Sequence, residues 1–96
     1  MRVDSNDIDI IKNTLIDKIS DAKIFLFGSR VDDAKKGGDI DIFVKTLSNV
    51  TLKDELLLLT QFELNGIRRK IDLIIDSPKK SKQVFFDSIK DKAILL

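Results

Sequence analysis

Asp39 and Asp41, one residue apart, are the side chains of this sequence whose type and spacing most directly suggest chemistry. They sit at the head of an apolar run that ends at Val44. Side chains alternate along a strand, so both carboxylates leave one face while Ile40, Ile42 and Val44 leave the other and can enter a core. Two carboxylates held a few ångströms apart with no basic residue between them repel each other, and a divalent cation relieves the repulsion. The plainer reading is a pair of aspartates on the wet face of an edge strand. Upstream, a second apolar run, Ile24-Phe25-Leu26-Phe27, stops at Gly28-Ser29-Arg30. Gly28 permits a close backbone turn, and Ser29 offers a hydroxyl and an amide to a phosphate. Arg30 can clamp the same phosphate or pair with Asp32 or Asp33. Strand, phosphate-sized turn and strand with paired carboxylates therefore follow one another.

Composition narrows the chemistry further. The chain has no cysteine and no histidine, which removes disulfides, thiolate zinc, cysteine nucleophiles, Ser-His catalysis and imidazole ligation. Acid–base and metal chemistry must then rest on carboxylates, hydroxyls and lysines. Oxygen ligands favour a hard ion, Mg²⁺ before Mn²⁺. A formal charge of +1 gives no broad field for nucleic acid, so an obligate nucleic-acid ligand is disfavoured. The glycines match neither a Walker loop nor a dinucleotide-binding turn, and residues 32–38 lack the alternating ligands of an EF-hand. No apolar run is long enough for a membrane span and the N-terminus is too polar for a signal peptide, so a cytoplasmic protein is the default expectation.

The elements that must position these residues are legible in order. Ile8, Ile11, Leu15 and Ile19 recur at helical spacing and predict a helix over about residues 5–19, capped by Ser5 and covering one sheet face. Strands are expected at residues 22–27 and 39–45, with a short helix starting at Ser29 or Arg30 and a polar connection over residues 31–38. Thr51-Leu52-Lys53-Asp54 marks a second helix start, and Asn65-Gly66 its end. Leu56 to Leu59 are consecutive leucines that one amphipathic face cannot hold, so this helix is buried on two sides or keeps apolar surface for a partner. A third strand runs from Ile71 to Asp76, Pro78 suits the first turn of a helix from about residue 79, and Ala93 to Leu96 can dock as an edge strand. With 96 residues there is room for one core and no separate substrate lobe, so residues 1–96 are expected to form a single α/β (α+β) domain, a small mixed sheet with helices packed on it.

Gly28-Ser29-Arg30 followed by Gly38-Asp39-Ile40-Asp41-Ile42-Phe43-Val44 resembles the G-S-x(n)-D-x-D signature of the DNA polymerase β-like nucleotidyltransferases. The tight GSR form in so short a chain is similar to the minimal nucleotidyltransferases (MNT), whose members pair with HEPN proteins as toxin–antitoxin systems. The resemblance covers about residues 24–76 and implies the polymerase β-like fold. It implies Gly28, Ser29 and Arg30 as nucleotide-binding residues, and Asp39, Asp41 and a strand aspartate as catalytic metal ligands. Asp72 is the favoured third carboxylate, at the family's hydrophobic-Asp-hydrophobic strand, and Asp76 is its rival. The implied reaction uses two Mg²⁺ ions to transfer AMP from ATP to a tyrosine or similar hydroxyl of a HEPN toxin partner. A different class of reading is an antitoxin that neutralises its partner by occlusion alone, through the leucine-rich helix and the apolar tail. Transfer to a small molecule or an RNA end is a third.

Overall fold

A computed structural model describes residues 3–28 and 39–96. Ser29, Arg30 and the connection over residues 31–38 therefore lie outside the described residues. Helix α1 spans Ser5–Lys18. Its cap is Asp4 rather than Ser5: the Asp4 carboxylate accepts from the amide of Asn6 at 2.7 Å, and Ser5 is already helical. A carboxylate suits this position because it also meets the positive end of the helix dipole. Ile11 and Leu15 bury the inward stripe.

Strands β1 (Lys23–Phe27), β2 (Ile40–Lys45), β3 (Ile71–Asp76) and β4 (Ile94–Leu95) form one sheet in the order β3-β2-β1-β4. β1 runs antiparallel to both β2 and β4, while β2 and β3 are parallel. Parallel neighbours need a crossover, and helix α2 (Leu52–Leu64) supplies it. Its start is a capping box: the Thr51 hydroxyl accepts from the Asp54 amide at 3.1 Å and the Asp54 carboxylate accepts from the Thr51 amide at 3.0 Å. The Thr51 amide, and after it the Thr51 hydroxyl, hold the Asp54 carboxyl below its usual range.

The sheet is covered on both faces by different chemistry. On one side Ile11 and Leu15 of α1, Leu58 and Phe62 of α2, and Leu26, Ile40, Ile42 and Val44 of the sheet form a core that is aliphatic but for Phe62. On the other, Phe43 is fully buried against Phe85 and Phe86 of helix α3 (Gln83–Ile89), with ring centroids 6.0 and 5.2 Å away. Phe25 and Phe27 complete this aromatic layer, at 5.1 Å from Phe86 and 5.5 Å from Phe85 respectively. A helix as short as α3 is not stable alone, and ring packing holds it to the sheet.

α3 starts later than its sequence suggests. Ser77 and Lys80 pair as an isolated bridge, so Pro78 sits in a turn and not in a helix. The Asp76 carboxylate then accepts from the amide of Lys82 at 2.6 Å, tying the end of β3 to the approach of α3. The leucine run is resolved as well: Leu58 is buried, whereas Leu56, Leu57 and Leu59 are 56%, 49% and 36% exposed, so α2 keeps apolar surface. No helix among the described residues is long and apolar enough to cross a membrane.

Candidate active site

The register of β2 and β3 determines what stands together. Asp41 is the register partner of Asp72. Paired residues on parallel neighbours leave the same face, and adjacent strands lie about 4.8 Å apart, so the two carboxylates emerge side by side at one end of the sheet. Across β2 from Asp72 stands β1, whose last residue Phe27 pairs with Asp41. Gly28 follows with φ at +76°, in the left-handed region that glycine adopts without strain. It has a second reason to be glycine: a Cβ there would overlap the Asp41 carboxylate. Gly28, Asp41 and Asp72 thus form a row across three strand ends, with Asp39 just before β2.

Lys70, immediately before β3, adds a cation that spacing along the chain does not reveal. Its ammonium lies 3.5 Å from Asp72 Oδ1 and 4.0 Å from Asp39 Oδ2. No basic residue separates Asp39 from Asp41 in sequence, but the fold brings Lys70 in beside Asp39. The side chains of Asp39 and Asp72 are 45% and 43% exposed and that of Lys70 is 72% exposed, so this is a solvent-screened pairing worth little to stability. It marks where positive charge is favoured.

Among the described residues no three His, Cys, Asp or Glu side chains are gathered into a ready-made metal cage. Mg²⁺ does not require one, because it binds through one or two carboxylates and completes its octahedron with waters and substrate phosphates. The carboxylates at this sheet end suit that ion in chemistry and in number.

Asp76, the rival third carboxylate, is on the same face of β3 but four residues further on, about 13 Å along the strand. It pairs with Lys45 at 3.9 Å and caps the approach to α3. Strand geometry therefore groups Asp72, not Asp76, with Asp41.

The Polymerase beta, Nucleotidyltransferase family model matches residues 9–96. The chain belongs to that nucleotidyltransferase family. Among solved structures, one described as a toxin–antitoxin with AMP-PNP superposes with a TM-score of 0.73 at 20% identity, covering 97% of this chain and 72% of that one. A second, described as a candidate nucleotidyltransferase from Sulfolobus solfataricus, gives a TM-score of 0.52 at 20% identity and covers 95% of this chain and 82% of that one. At such identities the likeness is one of fold, and it agrees with the mixed four-stranded sheet of this nucleotidyltransferase domain. No curated protein matches the chain in sequence.

Proposed function

We propose that this nucleotidyltransferase domain, spanning residues 1–96, transfers AMP from ATP to a hydroxyl on a partner toxin of the HEPN type in the cytoplasm, and so acts as an antitoxin. The observation that carries the reading is the matched register of Asp41 and Asp72 beside a glycine that clears space for the Asp41 carboxylate. Like charges directly opposite on neighbouring strands are unfavourable for a fold, and they suit a site that meets a cation and a triphosphate. The toxin–antitoxin neighbour with AMP-PNP supports both the nucleotide and the partner.

In this reading Asp39, Asp41 and Asp72 hold Mg²⁺, and Gly28, Ser29 and Arg30 receive the phosphates. Bound Mg²⁺ would neutralise the triphosphate and lower the pKa of the attacking hydroxyl. Asp72 orients that hydroxyl and accepts its proton. The acceptor oxygen bonds to the α-phosphorus, the bond from that phosphorus to the bridging oxygen breaks, and pyrophosphate leaves. The chain contains no tyrosine, so a tyrosine acceptor must lie on another chain.

A binding-only antitoxin is the second reading, favoured by the exposed leucines of α2. Label transfer from α-³²P ATP to the co-expressed partner separates the two. Transfer that disappears in Asp39→Ala/Asp41→Ala is expected; absence of label, with neutralisation surviving in that variant, would establish the binding-only reading.

A further inference from the structure

Where α2 meets the start of β3 there is a cleft of about 480 Å³. Its walls are Leu59, Ile67 and Ile71 on the apolar side and Arg68, Arg69 and Lys70 on the basic side, with Glu63 the one carboxylate among the lining residues. Lys70 connects this cleft to the site, since its ammonium reaches Asp39 and Asp72. Arg68 and Arg69 have no carboxylate partner among the described ion pairs. The cleft is thus an anion-seeking pocket with an apolar wall, joined to the site through Lys70.

It also continues into a larger surface. Leu52, Leu56 and Leu59 share one flank of α2, at helical spacing, and are 60%, 56% and 36% exposed. Leu57 and Leu64 lie on the opposite flank, beside α1. The Leu52–Leu59 row therefore leads into the basic cleft over about 10 Å, two turns of helix. Leucines in a row suit a polypeptide and not a phosphate backbone, and the net charge of +1 gives no general attraction for nucleic acid.

We propose that the Leu52–Leu56–Leu59 row and the Arg68–Lys70 cleft together dock the acceptor polypeptide, taking a segment that is apolar along one side and acidic at the end nearest Asp72. Guanidinium groups grip the acidic end by paired hydrogen bonds, the leucines take the apolar side, and the acceptor hydroxyl approaches Asp72 from the side opposite Gly28. Delivery of the hydroxyl rests on the transferase reading; the docking does not.

Fluorescence anisotropy tests it with a short labelled peptide of glutamates and leucines carrying one tyrosine, its lysine-for-glutamate counterpart, and an oligouridylate. The acidic peptide should bind most tightly, and Arg68→Glu/Arg69→Glu should weaken it at least about tenfold while strengthening the lysine peptide, an exchange that misfolding cannot produce. Lys79→Glu/Lys92→Glu, an equal change of charge elsewhere, should leave the acidic peptide bound. Equal binding of the three probes, tighter binding of oligouridylate, or a charge reversal that fails to exchange the peptides would overturn the proposal. AMP transfer from ATP onto the same peptides is read separately. Charge-selective docking with no label on the co-expressed partner removes the transferase reading alone, and transfer indifferent to peptide charge removes the docking surface alone.

Discussion

The two ends of the β2–β3 pair are built from the same strands, on the same face, to opposite purposes. At one end the register sets Asp41 against Asp72, like charge beside like charge. At the other it sets Lys45 against Asp76, and every group there has an answer. Lys45 donates to Gln83 at 3.0 Å and lies 4.3 Å from the Phe86 ring centroid, while Asp76 accepts from the Lys82 amide. Asp21 closes the same end, accepting from Thr46 at 2.5 Å and from the Leu47 amide at 2.8 Å. The two ends differ in exposure: the Lys45 and Asp76 side chains are 29% and 15% exposed, those of Asp39 and Asp72 45% and 43%. At the acidic end the Lys70 ammonium, on a side chain 72% exposed, lies beside Asp39 and Asp72.

Substitutions at the two ends should accordingly divide between activity and stability. Asp72→Asn should lower AMP transfer by about 10²–10³-fold with little change in melting temperature, because it removes one of two facing carboxylates; unchanged transfer rates would erase the functional half of the contrast. Gly28→Ala should cost about 1–3 kcal/mol of stability in denaturant titration and weaken nucleotide binding as well, since it strains the backbone and displaces the Asp41 carboxylate. Asp76→Ala should do the reverse of Asp72→Asn, costing about 1 kcal/mol while transfer persists. The smallest effect belongs to Asp21, whose carboxyl is held below the usual range by the Thr46 hydroxyl and then the Leu47 amide. Its folded pKa is depressed, so its contribution is present above the unfolded value and fades as pH falls through the folded one. Asp21→Asn should flatten the acid limb of the stability curve measured by circular dichroism below about pH 4.

Most of the framework could be read from the sequence because each element announces itself locally. Ile11 and Leu15 mark α1, the Thr51–Asp54 box starts α2, and Ile71–Asp76 is bounded as a strand by the basic residues before it and Ser77-Pro78 after it. The misses arose where a side chain acts at a distance or a turn intervenes. Asp4 displaced Ser5 as cap, and the Ser77–Lys80 turn moved the start of α3 beyond Pro78. The pairing of Lys70 with Asp39 depends on the β2–β3 register, which spacing along the chain does not encode. Phe43 was legible as a strand residue, but its burial by Phe85 and Phe86 required knowing that α3 packs on the carboxylate-bearing face. At the site, the alternation that separates Asp41 from Ile40 and Ile42 was visible, as was the parity shared by Asp72 and Asp76. Only the parallel pairing places Asp72 beside Asp41 and Asp76 beside Lys45.

The central claim is that facing Asp41 and Asp72 carboxylates hold a divalent cation together with nucleotide. Electron paramagnetic resonance of Mn²⁺, titrated with AMP-PNP into the wild type, Asp72→Asn and Asp76→Asn, tests it most directly. The account predicts nucleotide-dependent Mn²⁺ binding by the wild type and Asp76→Asn that is lost or weakened at least about tenfold in Asp72→Asn. Equal binding by all of them, or none by the wild type, would contradict it.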